Sequence, residues 1–320
     1  MKIYIGIDTG SVSTNVIALD ENCEVIFEEY IRTKGQPINS VKEGMTLLKN
    51  FLKDKNAEVC GVGVTGSGRQ MIGLMVGADC IKNEITAHAA ATIHYHSDVS
   101  TIFEIGGQDS KIIIVRDGVV TDFSMNTVCA AGTGSFLDHQ AERLGVDITN
   151  FGDLALSAQN EVRIAGRCTV FAESDMIAKQ QYGYSKADII KGLCDALVRN
   201  YLNNLGRGKV LEPPFVFQGG VAANKGIVAA FEEQVGSKII IPKHFNVMGA
   251  IGMALMAKNQ TEQSGKKSNF KGFEFIDLEF TPKSFECSGC SNACEVIKVM
   301  VDGKVAAMWG DKCGKWSSSI

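Results

Sequence analysis

The chain has no apolar run that approaches the roughly 20 residues needed to cross a bilayer. Its first residues, MKIYIGID, predict a strand that enters a glycine turn rather than a signal peptide. A net charge of only -4 at pH 7 gives no reason to expect nucleic acid or an anionic membrane as a partner. These absences predict a cytoplasmic protein.

The sequence also lacks a P-loop, the pattern Gly-x4-Gly-Lys-Ser/Thr. It has instead three glycine turns, each directly after an apolar strand: GIDTGS at 6–11, EIGGQD at 104–109 and QGGVA at 218–222. Glycine lets backbone N–H groups approach phosphate oxygens, and an aspartate beside such a turn, as at Asp8 and Asp109, can hold Mg²⁺ through water. Any one of these turns alone is a weak signal for a phosphate site.

Ten cysteines are many for a chain predicted to be cytoplasmic, and they favour metal or redox chemistry over a disulfide framework. Cys129 and Cys168 each precede a predicted helix, where unsatisfied N–H groups favour a thiolate. Two thiolates cannot complete a four-ligand iron–sulfur or zinc site, whereas two copies of the chain around a twofold axis can. Four scattered cysteines are predicted to be small core residues: Cys23, Cys60, Cys80 and Cys194.

The remaining cysteines cluster near the end of the chain: Cys287, Cys290, Cys294 and Cys313. The Asp-Gly pair at 302–303, between alternating stretches at 296–301 and 304–309, predicts a hairpin. That pairing places Cys294 opposite position 311, close to Cys313, so the four thiols are predicted to converge. A small unit has little core of its own, so a metal would supply folding energy. Zinc and a [4Fe-4S] cluster both fit, and disulfides or free thiols are the alternative.

Alternating predicted strands and helices indicate an α/β protein. Two β-meanders, at 1–32 and 101–125, share one plan of strand, glycine turn beside an aspartate, and hairpin, which predicts an internal duplication. The predicted division is lobe I at 1–98 with 245–258 returning to it, lobe II at 99–244, a polar linker at 259–271 and a cysteine-rich unit at 272–320.

In order and spacing, the three glycine turns resemble those of the actin/hexokinase/Hsp70-like ATPase superfamily: a phosphate-1 turn, a phosphate-2 turn and an adenosine motif. The resemblance implies two ribonuclease-H-like lobes that clamp ATP. It also implies that Asp8 and Asp109 organise Mg²⁺, and that Gln108 or Glu104 places the attacking water. The residues that it places around the nucleotide are Gly6, Thr9, Gly10, Ser11, Gly106, Gly107, Gly132, Thr133, Gly134, Gly219, Gly220 and Val221.

Within that superfamily the chain resembles the activators (component A) of 2-hydroxyacyl-CoA dehydratases, with the ATPase subunits of benzoyl-CoA reductases and the reductase of double-cubane-cluster proteins as close relatives. The resemblance covers residues 1 to about 258 and lies in IGGQD at 105–109, NTVCAAGTGSFL at 126–137 and CTVFAES at 168–174. It implies that Cys129 and Cys168 from both subunits of a homodimer hold one [4Fe-4S] cluster. An iron–sulfur dehydratase, a reductase or a double-cubane-cluster protein would accept the electron in a step coupled to ATP hydrolysis. Ferredoxin or flavodoxin would be the donor.

Two other functions stay open at this point. A small-molecule kinase of the same superfamily would need an acceptor pocket with a base, and a non-enzymatic ATP-binding redox or metal sensor would signal through the cysteine-rich tail. The paired cysteine segments favour the electron donor. Short activators lack the tail, so the partner enzyme and the tail metal, a second [4Fe-4S] cluster or Zn²⁺, also stay open. His88, His94 and His96 are predicted on a solvated helix surface rather than in a ligand set.

Overall fold

The computed structural model describes residues 1–127, 129–166 and 168–317. The chain forms two compact units: unit 1 comprises Met1–Gly10, Thr14–Lys82 and the chain from Met253 onward, and unit 2 comprises Ser11–Ser13 and Asn83–Gly252. These boundaries differ from the predicted 98/99 and 258/259, and the cysteine-rich segment is grouped with unit 1. The predicted segments include Val128, Arg167 and residues 318–320, which lie outside the described residues.

Unit 1 is built on a sheet whose strands have alternating apolar residues on the face that packs against helices. The strands are β1 (Lys2–Thr9), β2 (Ser13–Asp20), β3 (Val25–Arg32), β4 (Glu58–Thr65) and β5 (Cys80–Ile81), in the order β3-β2-β1-β4-β5. β1 pairs antiparallel with β2 and parallel with β4. Ile5 and Ile7 of β1 share a core with Val41 and Met45 of helix α1 (Pro37–Leu52) and with helix α2 (Arg69–Val76).

Unit 2 repeats this plan. Its strands are β6 (Thr101–Ile105), β7 (Ser110–Arg116), β8 (Val119–Asn126), β9 (Phe215–Gln218) and β10 (Ile239–Ile240), in the order β10-β9-β6-β7-β8. β6 pairs antiparallel with β7 and parallel with β9, as β1 does with β2 and β4. The predicted duplication is therefore present in the strand order of the two sheets.

The helices of unit 2 pack over this sheet. They are α3 (Glu84–Tyr95), α4 (Gly134–Leu144), α5 (Ile148–Leu156), α6 (Thr169–Gln181), α7 (Lys186–Leu205) and α8 (Lys225–Val235). Phe103 of β6 stacks on Phe231 of α8 with ring centroids 4.8 Å apart, at the centre of the core. The predicted surface position of His88 is wrong, because its side chain is buried in α3.

Helix α9 (Met248–Ser264) carries the chain out of unit 2 and into unit 1. The first part of the predicted linker at 259–271 is therefore helical. Inside unit 2, a Cβ added at Gly252 would lie 1.8 Å from the carbonyl oxygen of Ala87, so only glycine fits there. In the described chain no helix combines the length and the apolar character needed to span a bilayer.

The C-terminal segment forms an antiparallel sheet of β11 (Phe280–Glu286), β12 (Glu295–Val301) and β13 (Lys304–Trp309). The predicted hairpin is confirmed, but a bulge between Val299 and Met300 shifts its register by one residue. The segment before the sheet packs on unit 1, where Phe275 is only 1% exposed within the core that contains α1. The cysteine-rich segment is thus joined to unit 1 by an apolar contact rather than standing apart.

Candidate nucleotide and cluster site

The phosphate-2 turn is held against the start of α4 in unit 2. Gly134 N–H donates to the carbonyl oxygen of Gly106 at 2.9 Å, and Ser135 N–H donates to that of Gly107 at 2.8 Å. These bonds use peptide groups that the first turn of a helix cannot satisfy internally. They place the predicted nucleotide residues Gly132–Gly134 next to Gly106 and Gly107.

The adenosine motif adjoins the same turn. Gly219 has a φ of +89°, and a Cβ there would lie 2.4 Å from the carbonyl oxygen of Ile105 and 2.7 Å from Glu104 Oε1. Only glycine tolerates both the backbone conformation and the approach. The chain then makes a short 3-10 turn at Gly220–Ala223, in which Val221 is buried. Unit 2 thus brings two of the three predicted glycine turns together.

Part of the phosphate-1 turn belongs to this group as well. Ser11 Oγ donates to Gln108 Oε1 at 2.5 Å, and a Cβ at Gly107 would lie 2.8 Å from the side chain of Val12. The turns predicted from sequence as phosphate-1 and phosphate-2 therefore share a hydrogen bond and an apolar contact within unit 2.

The other phosphate-1 residues lie in unit 1. Gly6 and Asp8 are in β1, where Asp8 pairs in register with Asn15 and Thr65, and Gly10 accepts a hydrogen bond from Thr33 Oγ1 at 3.0 Å. The hydroxyl of Thr9 is fully buried and has no hydrogen-bond partner among the described residues. A buried hydroxyl without a partner costs about 1–3 kcal/mol, which a phosphate oxygen could offset.

Two charged residues that the sequence analysis missed, Lys111 and Glu84, form ion pairs with the predicted site residues Glu104 and Asp109. Lys111 Nζ lies 2.9 Å from each of Glu84 Oε2, Glu104 Oε2 and Asp109 Oδ2. The lysine side chain is only 2% exposed. The signal was available in the predicted hairpin, because pairing β6 with β7 places Lys111 directly opposite Glu104.

Burial and the neighbouring charges shift the pKa values of Glu104 and Lys111. It raises the pKa of Glu104 to about 8, although the nearby charge of Lys111 opposes the rise. For Lys111, burial disfavours the ammonium, but Glu104, Asp109 and Glu84 outweigh burial and raise its pKa well above the ordinary value. We therefore assign a charged lysine and a Glu104 that holds a proton readily.

His88 lies beside this group and contacts Gln218, the first residue of the adenosine motif. Its Nδ1 is 3.0 Å from Gln218 Nε2, and Gln218 Oε1 accepts a hydrogen bond from Thr92 Oγ1 at 2.8 Å. Burial first, and then the charge of Lys111, lower the pKa of His88 to about 3. The imidazole is thus neutral, and its Nδ1 accepts a hydrogen bond from the amide of Gln218, the residue just before Gly219.

Cys129 and Cys168 both stand at the residue before a helical turn. Asn126 fixes Cys129, because its Oδ1 accepts from Cys129 N–H at 2.9 Å and its Nδ2 donates to the carbonyl oxygen of Cys129 at 2.8 Å. Directly after Cys129 the chain forms a 3-10 turn, Ala130–Gly132, and the helix predicted at about 133–145 follows as α4. Cys168 is the N-cap of α6, and its carbonyl oxygen accepts from Ala172 N–H at 2.9 Å.

Cys129 and Cys168 are partly accessible, and large exposed apolar side chains follow Cys168. Both are half-buried and neither forms a disulfide. Beyond Cys168, the side chains of Val170 and Phe171 are 67% and 66% exposed. Large apolar side chains this exposed next to a ligand-type residue are expected where another protein covers the surface.

Directly after β11, Cys287 lies where N–H groups reach its sulfur. Trp316 Nε1–H and Gly289 N–H donate to Cys287 Sγ at 3.3 Å and 3.4 Å, and these bonds lower the pKa of the thiol. Across the described chain, no three His, Cys, Asp or Glu side chains are arranged to hold a metal ion. The convergence of all four tail thiols stays a prediction.

Comparison with known proteins agrees with this architecture. The chain is 35% identical over 262 residues, or 80% of its length and 98% of the relative, to the (R)-2-hydroxyglutaryl-CoA dehydratase activating ATPase of Acidaminococcus fermentans. It is 31% identical over 264 residues, covering 82% of this chain and 97% of the relative, to a 2-hydroxyisocaproyl-CoA dehydratase activator of Clostridioides difficile.

Among solved structures, the activator of the 2-hydroxyisocaproyl-CoA dehydratase from Clostridium difficile with bound ADPNP matches with a TM-score of 0.76 and 31% identity. That match covers 82% of this chain and 97% of the other. The predicted two-lobed actin-like α/β fold is confirmed. Residues 5–257 match the BadF/BadG/BcrA/BcrD ATPase family. Since this match covers well over half of the chain, the protein belongs to the BadF/BadG/BcrA/BcrD ATPase family.

Proposed function

We propose that the protein is an ATP-dependent electron donor that reduces an iron–sulfur partner enzyme, one electron at a time. Two copies of the chain would hold one [4Fe-4S] cluster between them. The observation that carries the proposal is the pair Cys129 and Cys168, two free, half-buried cysteines that each precede a helical turn in a member of an ATPase family. Dehydratase activators among its relatives support an enzyme as the partner.

The cysteines would serve as thiolate ligands, two from each subunit. A [4Fe-4S] cluster needs four such ligands and, when bound, takes up and releases single electrons. Asn126 holds the backbone of Cys129 on both sides, and the first turn of α6 holds that of Cys168. The exposed Val170 and Phe171 would be covered by the second subunit. Ferredoxin or flavodoxin would be the donor, in the cytoplasm.

The glycine turns would bind ATP and the acidic residues would organise its hydrolysis. The backbone at Gly106, Gly107 and Gly219 allows phosphate oxygens to approach closely, because no Cβ stands in the way. The N–H groups of Gly106 and Gly219 already donate to the carbonyl oxygens of Asp109 and Phe245, so other N–H groups of the turns would bind the phosphate. Asp8 and Asp109 would hold Mg²⁺ through water, and Gln108 or Glu104 would orient the attacking water. Phosphoryl transfer of this kind depends on positioning and charge more than on covalent participation of the protein.

The energy of ATP hydrolysis is sufficient for such a step. For one electron, about 59 mV corresponds to a tenfold change in the equilibrium constant, or about 1.4 kcal/mol. Several kcal/mol of coupled free energy would therefore lower a potential by a few hundred millivolts. This range makes a strongly reducing electron available to an acceptor that ordinary donors cannot reduce.

The four tail cysteines would hold a second metal, a [4Fe-4S] cluster or Zn²⁺. The support is the Cys287 sulfur, which already accepts two N–H hydrogen bonds of the kind that stabilise a metal-bound thiolate. A cluster there would form an electron inlet, whereas zinc would be structural. Metal content distinguishes the two, because only the first adds iron beyond that of the shared cluster.

The test uses anaerobically prepared full-length protein with iron, sulfide and zinc measured per dimer, and the EPR spectrum after dithionite reduction. Replacing Cys129 or Cys168 with Ala is expected to remove about four irons per dimer and to abolish reduction of the partner, while nucleotide binding remains. Cys60→Ala, a half-buried cysteine of unit 1, is the matched control and should keep all its iron. If both cysteine variants kept all their iron, Cys129 and Cys168 would not be the cluster ligands, and the kinase or sensor function would be favoured instead.

A further inference from the structure

We infer that Lys111 is a positioning residue for ATP hydrolysis, which fixes Glu104 and Asp109 by anchoring both to Glu84 at the start of α3. The inference rests on the proposed ATPase function and assigns a role to two residues outside the predicted site. It follows from three observations: Lys111 uses all three of its N–H donors, the second oxygens of Glu104 and Asp109 lie near the glycine turns, and the backbone of Lys111 is held in place.

The ammonium of Lys111 has no donor left for a nucleotide. A lysine carries three N–H donors, and Nζ has three carboxylate oxygens at 2.9 Å, one each from Glu84, Glu104 and Asp109. A lysine that binds phosphate directly, as in a P-loop, needs at least one donor pointing to the ligand. Lys111 therefore acts through the carboxylates that it holds.

Glu104 and Asp109 each contact Lys111 through one carboxylate oxygen, and the other oxygen of each lies near the glycine turns. Glu104 Oε1 lies 2.7 Å from the position of a Cβ at Gly219 and 3.4 Å from one at Gly106. Asp109 Oδ1 lies 3.0 Å from that Cβ position at Gly106. The lysine thus fixes the side-chain torsions that direct these two oxygens to the turns proposed to carry the nucleotide.

Backbone structure holds the lysine itself in place. Lys111 is paired across β6 and β7 with Glu104, and Asp109 stands two residues before Lys111, directly ahead of β7. The fully buried Tyr201 donates its hydroxyl proton to the carbonyl oxygen of Lys111 at 2.5 Å. Glu84 is the first residue of α3, where the helix dipole favours a carboxylate. The backbone of Lys111 and that of its partner Glu84 are therefore both held in place by regular secondary structure.

Lys111→Met tests the inference through steady-state ATP hydrolysis by the full chain. The expected result is a fall in kcat of about thirtyfold or more with a change in KM of less than about threefold, the pattern for an interaction that acts on the reaction and not on binding. Lys191→Met is the control, since that lysine pairs with Asp195 at 2.8 Å on the surface of α7. It should match the unmutated protein in both parameters.

A double variant, Lys111→Met with Glu84→Gln, distinguishes a positioning role of Lys111 from a purely structural one. Lys111→Met leaves buried carboxylates without a counter-ion, which destabilises a protein, and adding Glu84→Gln removes one of those charges. If Lys111 only neutralises charge, the double variant recovers both melting temperature and kcat, and the inference is wrong. If Lys111 positions Glu104 and Asp109, the melting temperature rises while kcat stays low.

Glu84→Gln alone keeps Lys111 and gives an answer even if the other variants do not fold. We expect kcat to fall about threefold to tenfold at unchanged KM, because one of three charged anchors is lost. An unchanged kcat overturns the inference. If the unmutated protein hydrolyses no ATP, the proposed function fails and the role of Lys111 fails with it. If it does hydrolyse ATP and the variants equal it, only the role of Lys111 fails.

Discussion

Replacing His88 with Asn should weaken the acid sensitivity of folding. In the folded protein the imidazole of His88 is only 7% exposed and accepts a hydrogen bond from Gln218 at 3.0 Å. Burial and the charge of Lys111 lower its pKa to about 3, with Glu84 as the one opposing charge. In the unfolded chain the pKa is about 6.5. Asn cannot take up a proton in this range, yet its Oδ1 can accept the same hydrogen bond.

The sign and size follow from proton linkage. Between pH 3 and 6.5 the unfolded chain binds the His88 proton and the folded protein does not, so the free energy of unfolding falls as pH decreases. The slope is about 1.4 kcal/mol per pH unit, so between pH 6.5 and 5 the loss is about 2 kcal/mol. Above about pH 7.5, where the unfolded imidazole is almost fully neutral as well, the contribution of His88 is complete and constant.

Urea unfolding at several pH values between 5 and 8 measures this difference. Glu104 contributes in the opposite direction, because its raised pKa gives stability at low pH that is lost as pH rises toward about 8. Comparing His88→Asn with the unmutated protein cancels that contribution. His94→Asn, an exposed histidine of the same helix, is the control and should follow the unmutated curve. Parallel curves for His88→Asn and the unmutated protein would refute the buried neutral imidazole.

Two further predictions concern the glycine turn and the C-terminal segment. Gly219→Ala should raise the Kd for nucleotide at least about tenfold, because its Cβ would meet the carbonyl oxygen of Ile105 at 2.4 Å. Gly236→Ala has a similar positive φ but open space around it, so it should leave the affinity unchanged. Phe275→Ala should lower the free energy of unfolding of unit 1 by about 3–5 kcal/mol in urea titration, as expected for a buried phenylalanine. A loss below about 1 kcal/mol would mean that the segment around it does not pack on the core.

The sequence was enough to predict the elements with strong local signals. Apolar strands that run into glycine turns predicted β1, β6 and β9 closely, and the Asp-Gly pair predicted the turn between β12 and β13. These signals are local, because a glycine turn and a two-residue hairpin are determined by the residues that form them. The order of the turns then indicated the fold, which relatives and solved structures confirm.

The features that the sequence analysis missed depend on contacts between distant segments. A lysine in β7 and a histidine in α3 are ordinary surface residues by pattern, and only their tertiary partners explain why Lys111 and His88 are buried. The sequence analysis ended α9 at residue 258 because the last turns of this helix are polar, and it did not predict α2 and α5. Phe275 was assigned to a separate unit because chain position does not reveal which core receives an aromatic side chain.

Helix α3 contacts the surroundings of both the phosphate-2 turn and the adenosine motif in unit 2. Its first residue, Glu84, holds Lys111 and through it the carboxylates of the phosphate-2 turn, while His88 and Thr92, one and two turns further on, hold the amide of Gln218 before the adenosine motif. The spacing of four residues places all three side chains on one face of the helix. The charge on Lys111 holds the carboxylates. Burial, together with that charge, lowers the pKa of His88 and keeps it neutral, so that His88 accepts from Gln218 and does not repel the lysine. A shift of α3 would therefore move the surroundings of both turns together, because its contacts to each are made by charged or hydrogen-bonded side chains that water cannot readily replace.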